Sequence, residues 1–269
     1  MKKVHSKKIL SLAMAVLFGT CVFAVPVFAE NANDTVYVTI SDAQGNLVLA
    51  QEPIMLSDTD GDGALTIHDA LYAAHEAKYD GGADVGYGSE YGAYGFSLTK
   101  LWGTENGGSY RYSVNNIGAT NLADTVKNGD YINAYIYTDL VSWSDTFCFF
   151  DVNTVSTAKG EEITLTLTAE GYDENWNTIT YPVEGATILL NGKPASYKTD
   201  ANGKVMLSFD QAGTYVISAS SEAQSLFPPV CKAQVAADSN PAVMIVCVVA
   251  VVIVIAGAAA WIVMKRKKA

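Results

Sequence analysis

The run Asp58-Thr-Asp-Gly-Asp-Gly-Ala-Leu-Thr-Ile-His-Asp69 sets acidic side chains at alternate positions and then closes on one more. Counted from Asp58, the acids stand at positions 1, 3, 5 and 12, and Gly63 stands at position 6. Carboxylates at that spacing suit a hard divalent cation, because a sharp turn at the glycine lets several oxygens converge on one centre. The donors expected are Asp58, Asp60, Asp62, the Ala64 carbonyl, Thr66 directly or through water, and Asp69, with Ca2+ as the cation. An acidic, solvated turn is the plain alternative, and the apolar anchors Leu65 and Ile67 count against it.

Positioning such a loop takes an element on each side. After Asp69 the chain continues Ala-Leu-Tyr-Ala-Ala-His-Glu-Ala-Lys, a helix whose inner stripe is Ile67, Leu71, Ala74 and the stem of Lys78. Before the loop, Glu52-Pro53-Ile-Met-Leu56 reads as extended chain, since proline removes a donor and disfavours helix in the residue ahead of it. Half of an EF-hand is therefore present. A loop closed by Asp and lacking the entering helix resembles the calcium loop of dockerin modules, which carry it twice, whereas this chain has it once. That resemblance implies docking to a cohesin-type partner as one possible role.

Other chemistry is thin. His68 and His75 are expected on the helix surface rather than as zinc ligands, because no cysteine lies near them and the remaining histidine is His5. Asp173-Glu-Asn-Trp-Asn177 spaces oxygens alternately but lacks a turn glycine and a closing acid, so it reads as a loop. There is no Gly-x-Ser-x-Gly, no Walker loop and no His-Glu-x-x-His, so a non-enzyme is expected. Tyr87, Tyr91, Tyr94, Trp102, Tyr110, Tyr112, Tyr137 and Trp143 supply more amphipathic rings than a small core needs. Of these, Tyr91, Tyr94, Trp102 and Tyr110 are candidates to stack on a glycan, a peptide or a small planar molecule. Phe96, Tyr112 and Tyr135 are assigned to the core.

The two ends carry their own signals. Residues 1–29 read as a secretory signal peptide, with Lys2, Lys3, Lys7 and Lys8 ahead of an apolar run and cleavage expected after Ala29. Residues 242–264 form an uncharged apolar run long enough to span a bilayer, and Lys265-Arg-Lys-Lys268 marks its cytoplasmic side, leaving residues 265–269 as a tail. The chain is thus expected in the cell membrane as a single-pass protein with its ectodomain outside, of bacterial type. Removing the eight basic residues of the two ends from the total of 17 leaves nine against 28 acids, a net charge of −19 for the ectodomain. Nucleic acid is a poor partner for such a surface.

Hydrophobic patterning divides the ectodomain into residues 30–150 and 151–236, with 237–241 as a short stalk. The first part opens with two β-runs, Thr35-Val-Tyr-Val-Thr-Ile40 and Asn46-Leu-Val-Leu-Ala50, around a turn, then the acidic loop and helix, then alternating strands at Ser109–Val114 and Tyr131–Tyr137. The runs Tyr94-Gly-Phe-Ser-Leu-Thr-Lys-Leu-Trp-Gly103, Ser109-Tyr-Arg-Tyr-Ser-Val-Asn-Asn116 and Val126-Lys-Asn-Gly-Asp-Tyr-Ile132 resemble a bacterial surface domain of unknown function. That domain is similar to the C-terminal β-grasp part of transcobalamin and intrinsic factor; here Asn116 replaces its usual glycine. The resemblance implies a β-grasp sheet packed on the helix near Asp69, and capture of a corrinoid-like nutrient as another possible role. The second part has short strands punctuated by Asn191-Gly, Asp200-Ala-Asn-Gly203 and Ala212-Gly, the pattern of a β-sandwich. Thr199-Asp-Ala-Asn-Gly-Lys204 and Ala212-Gly-Thr-Tyr215 resemble immunoglobulin-like repeats of bacterial surface proteins, which act as spacers. The fold class expected is mainly β with a short α-helix: a β-grasp-like domain, an immunoglobulin-like sandwich and one transmembrane helix. Cys148 and Cys231, the cysteines left outside the signal and the span, are expected as a disulfide, the alternative being two buried thiols.

Overall fold

Val36, Val38 and Ile40 alternate along Thr35–Ser41 (β1) and are fully buried on one face. The Asp42 carboxylate then accepts the N–H groups of Gln44 and Asn46 at 2.9 and 2.8 Å, turning the chain into Leu47–Met55 (β2). The computed structural model describes residues 34–93 and 95–237. The expected signal peptide, transmembrane segment and tail, the stalk beyond residue 237, and Tyr94 lie outside the described residues. Among the described residues no helix is long and apolar enough to cross a membrane.

Beyond the acidic loop come the helix Ile67–Lys78 (α1), a single helical turn Ala83–Gly86 (α2) and a hairpin of Gly88–Gly92 (β3) with Gly95–Lys100 (β4). Tyr110–Val114 (β5), Ile117–Ala119 (β6) and Tyr131–Ile136 (β7) complete the first module. Its sheet runs β2-β1-β7-β5-β6, with β1 parallel to β7 and the other neighbours antiparallel. Parallel neighbours need a crossover, and α1 supplies it. Ile67, Ala70, Leu71 and Ala74 of α1 share one core with Val36, Val38, Ile40, Ile132, Ala134 and Ile136 of the central strands. Phe96 and Tyr112 are buried in the same core, as their assignment expected.

The second module contains Cys148–Phe150 (β8), Thr154–Ala158 (β9), Glu162–Tyr172 (β10), Thr178–Pro182 (β11), Thr187–Leu190 (β12), Lys193–Lys198 (β13), Lys204–Ser208 (β14), Gly213–Ser220 (β15) and Cys231–Ala236 (β16). One sheet joins β11, β10 and β14, with β8 also on β10; the other runs β13-β12-β15-β16-β9. Phe150, Leu165, Leu167, Val205 and Leu207 from the first sheet share a core with Ile188, Ile217, Ala219, Ala233 and Val235 from the second. The protein is mainly β, as expected from the sequence.

Two details depart from the sequence reading. Residues 148–150, placed at the end of the first module, pair instead with β10 in the register Phe150 with Leu167 and Cys148 with Ala169. Cys148 and Phe150 point into the sandwich core, a burial that rewards this strand more than the polar module edge it follows. Cys148 and Cys231, expected as a disulfide, are both free, buried thiols in the structure. Cys148 Sγ donates to the Phe227 carbonyl at 3.3 Å. Burial raises the pKa of both thiols, that of Cys231 to about 12 with the Asp151 charge adding to the effect, so neither is a ready nucleophile.

The modules meet through polar and aromatic contacts. The Gln51 side-chain amide donates to the carbonyls of Asn153 and Val230 at 3.0 and 3.1 Å, and Lys232 Nζ donates to the Gln51 carbonyl at 3.0 Å. Arg111 pairs with Glu170 at 2.6 Å while its guanidinium lies 4.4 Å from the centre of the Phe147 ring. Tyr135 and Phe227 stack with ring centroids 4.9 Å apart in a small core of their own.

Candidate functional site

The acidic loop hangs between β2 and α1, and its tail is the helix cap. Thr66 is the N-cap of α1: its hydroxyl accepts the Asp69 N–H, and Asp69 Oδ2 accepts the Thr66 N–H and hydroxyl at 2.9 and 2.7 Å. This reciprocal box satisfies helix-end donors and fixes Asp69, which is fully buried. Its other oxygen, Oδ1, accepts the N–H and hydroxyl of Thr59 at 2.7 and 2.6 Å. Burial pushes the Asp69 pKa upward, but these hydrogen bonds from Thr59 and Thr66 outweigh it and hold the carboxyl below its ordinary value. A charged, buried carboxylate therefore sits at the base of the loop.

At the other end, Asp58 organises the turn. Its Oδ1 accepts the Gly61 N–H at 2.7 Å and its Oδ2 accepts the Gly63 N–H at 2.9 Å. Gly61 and Gly63 have φ of 75° and 87°, a region that side chains avoid, so the chain can curl around the aspartates only because glycine stands there. The result brings one oxygen each from Asp58, Asp60 and Asp69 within 4.8 Å of one another. Asp62 is not in that triad; its Oδ1 accepts the Ala64 N–H at 2.8 Å. Thr66, also expected as a donor, is buried and spends its hydroxyl on the cap. Three of the six expected donors thus converge. Oxygen is the only donor type among them, which fits a hard cation, and a cation at this place competes with the Thr59 hydroxyl for Asp69 Oδ1. Thr59 is a contributor the sequence reading missed; a hydroxyl directly after the first aspartate was the available signal.

The helix that carries Asp69 also carries the two histidines, and both are buried rather than on the surface as expected. His75 Nδ1 donates to the Leu71 carbonyl at 2.6 Å and its Nε2 accepts the Trp102 N–H at 3.0 Å, which fixes the neutral tautomer. Burial lowers its pKa to about 4, with only the Leu71 carbonyl pulling the other way. His68 Nδ1 lies 2.8 Å from the Tyr87 hydroxyl. The rings of Tyr79, Tyr87 and Trp102 all lie within 6.2 Å of the His75 ring, so aromatic residues that looked like surplus surface are the walls of a histidine-lined interior. Period alone could not reveal this, because Tyr87 and Trp102 come from beyond the end of the helix.

The proposed stacking residues do not form one surface. Tyr91 is 74% exposed and stacks on Phe96 at 4.3 Å between centroids. Trp102 packs edge-on against Tyr79 at 5.1 Å and serves the interior. The Tyr110 hydroxyl sits 2.9 and 2.8 Å from the carbonyls of Thr99 and Thr104 and accepts the Asn106 N–H at 3.2 Å, so it fastens a loop. Tyr94 lies outside the described residues.

No protein-family model matches the chain, and no curated protein matches it. Among solved structures, one crystal structure of the N-terminal four Ig domains of Dscam1, isoform 7.44, is 9% identical with a TM-score of 0.23, covering 39% of this chain and 23% of that one. A second, of isoform 9.44, is 9% identical with a TM-score of 0.21, covering 48% and 27%. The chain spans about a quarter of the length of these structures.

Proposed function

We propose that the chain is a binding or adhesion protein displayed outside the cell and anchored in its membrane, with a first module clamped by a calcium ion. The observation that carries this reading is the convergence of Asp58, Asp60 and Asp69 at the connection between β2 and α1. Three carboxylate oxygens so close repel one another unless a cation lies among them. Asp58, Asp60 and Asp69 are the donors already gathered; Asp62, the Ala64 carbonyl and Thr66, the last through water because its hydroxyl serves the helix cap, complete the set as the loop closes on the ion. Calcium fits better than magnesium, because a flexible loop with a carbonyl donor suits its variable coordination. The ion supplies electrostatic cross-linking, tying the exposed turn to the buried helix cap.

The sheet order β2-β1-β7-β5, with its parallel central pair and single crossover helix, supports a β-grasp reading of the first module. Two sheets around one core support an immunoglobulin-like reading of the second. The apolar run at 242–264 and the net charge of −19 support an anchored, external protein in a calcium-rich medium. The extended β2 on the entering side of the loop favours a clamp over a dockerin pair.

Thermal melting of the full chain tests this. Calcium is expected to raise the melting temperature relative to chelator, magnesium to do so less, and Asp58→Ala or Asp62→Ala to abolish the calcium effect. Equal melting with calcium and with chelator refutes the clamp.

A further inference from the structure

Among the described residues all three tryptophans, Trp102, Trp143 and Trp176, adopt left-handed backbone, at φ of 47°, 55° and 62°. Glycine or asparagine occupies that region far more cheaply. Trp102 has a reason to be there, since its ring closes over His75 and Tyr79. Trp143 and Trp176 do not: they are 54% and 81% exposed. A large apolar ring at a strained, solvent-facing position serves neither the core nor the turn.

The two rings stand at the junction of the modules. Trp143 lies in the loop after β7, its centroid 5.2 Å from that of Tyr137, and Trp176 lies at the tip of the β10–β11 hairpin, 6.1 Å from Tyr172, itself 57% exposed. The Arg111–Glu170 pair ties the strands that carry them: Arg111 pairs across from Tyr135, on the face shared with Tyr137, and Glu170 shares a face of β10 with Tyr172. The Tyr137 phenol, whose pKa is raised by burial first and lowered by Arg111, also senses Tyr172. Trp143 with Tyr137 and Tyr172 with Trp176 are thus two ring pairs, one on each side of the Arg111–Glu170 ion pair.

Both tips are hydrogen-bonded turns and acidic. Asp139 accepts the N–H groups of Val141 and Ser142, each at 3.0 Å, and the Ser144 hydroxyl at 2.7 Å. Asp173 accepts the N–H groups of Asn175 and Asn177, each at 2.8 Å. These donors are neutral, so each aspartate keeps its negative charge, and Glu174 adds another. Residues 137–146 and 171–182 contain no Lys or Arg, and the cation beside them, Arg111, is already neutralised by Glu170.

We propose that these two ring pairs are the docking surface for a basic segment of a partner protein, whose arginine and lysine side chains lie on the ring faces between the carboxylates. Cation–π contact and charge complementarity both point to that chemistry. An anionic lipid surface is repelled by an ectodomain of net charge −19, and a neutral glycan gains nothing from the negative charge around the rings. The proposal rests on the reading of the chain as an external binding protein, and gives it a partner and a place.

The test titrates the full chain with an arginine-rich peptide, a glutamate-rich peptide of equal length and a neutral glucan oligosaccharide, at low and high salt. The arginine-rich peptide is expected to bind alone, and more weakly as salt rises. Trp143→Ala and Trp176→Ala are each expected to weaken it about fivefold. Glu174→Gln is expected to weaken it and flatten the salt dependence. Trp176→Gly should melt no earlier than the natural chain while losing the same affinity, which separates the surface from the fold. Absence of arginine-peptide binding, indifference to the tryptophan variants, or salt-independent glucan binding lost in Trp176→Ala overturns the proposal. Peptide binding lost in Tyr91→Ala instead would overturn this surface yet leave the chain a binding protein.

Discussion

Stability of the first module should begin to fall as pH drops below 6.5, because of His75. Its imidazole donates through Nδ1 to the Leu71 carbonyl and accepts the Trp102 N–H at Nε2, so a second proton has no acceptor and meets a donor. Burial lowers the pKa from 6.5 to about 4 in the folded chain, and the unfolded chain keeps the ordinary value. Between those two values the unfolded state binds the extra proton and the folded state does not, so acid favours unfolding there. The contribution is complete above pH 6.5, declines as pH falls towards 4, and is then exhausted. A gap of about 2.5 units at about 1.4 kcal/mol each makes the loss about 3 kcal/mol. Carboxyls held below their ordinary 3.8, such as Asp69, Asp145 and Asp200, begin to lose their own contribution only below about pH 5, where the unfolded chain takes up protons, so the slope above that is the histidine's. Urea unfolding followed by tryptophan fluorescence in chelator, at several pH values from 7.5 to about 4, measures the slope. His75→Gln should flatten it, whatever it does to stability at neutral pH. A natural chain equally stable at both ends of the range, or an unchanged slope in His75→Gln, refutes the reasoning.

Two other perturbations probe the scaffold. Arg111→Leu leaves Glu170 charged and poorly solvated at the junction and is expected to cost about 3 kcal/mol, whereas adding Glu170→Leu should recover part of that; additive losses in a double-mutant cycle would remove the pair from the account. Gly203 and Gly192 have similar φ, 71° and 75°, but a Cβ at Gly203 would lie 2.3 Å from the Leu167 carbonyl and one at Gly192 would meet nothing within 4 Å. Gly192→Ala should therefore cost about 1 kcal/mol and Gly203→Ala clearly more, and equal melting temperatures for the two would contradict this.

What the sequence made legible is local. The spacing of Asp58, Asp60 and Asp69 lies within one turn of chain, so its convergence could be read from residue types alone. The first hairpin and the helix were legible for the same reason, through Val36, Val38 and Ile40 and through the stripe Ile67, Leu71 and Ala74, while the Thr66 to Asp69 cap went unread. What stayed hidden depends on contacts far along the chain. His68 and His75 looked like surface residues because the segment burying them, Tyr87 to Trp102, bears no periodic relation to the helix. The strand at 148–150 alternates well enough to serve either module, and only the register with Leu167 and Ala169 decides its side. Trp176 was read as part of an ordinary loop, since its left-handed backbone leaves no mark in residue order.

The pairing of β9 with β16 bears on how the protein carries load. These are parallel strands in the register Thr154 with Lys232 through Ala158 with Ala236, β9 near the module's start and β16 its last strand. A tether pulling on the chain after Ala236, against a head held by its partner, draws the two strands lengthwise past each other. Every rung of that ladder is then stressed together, rather than one after another as in peeling. Under tension between those two ends, the second module is therefore loaded as a shear joint.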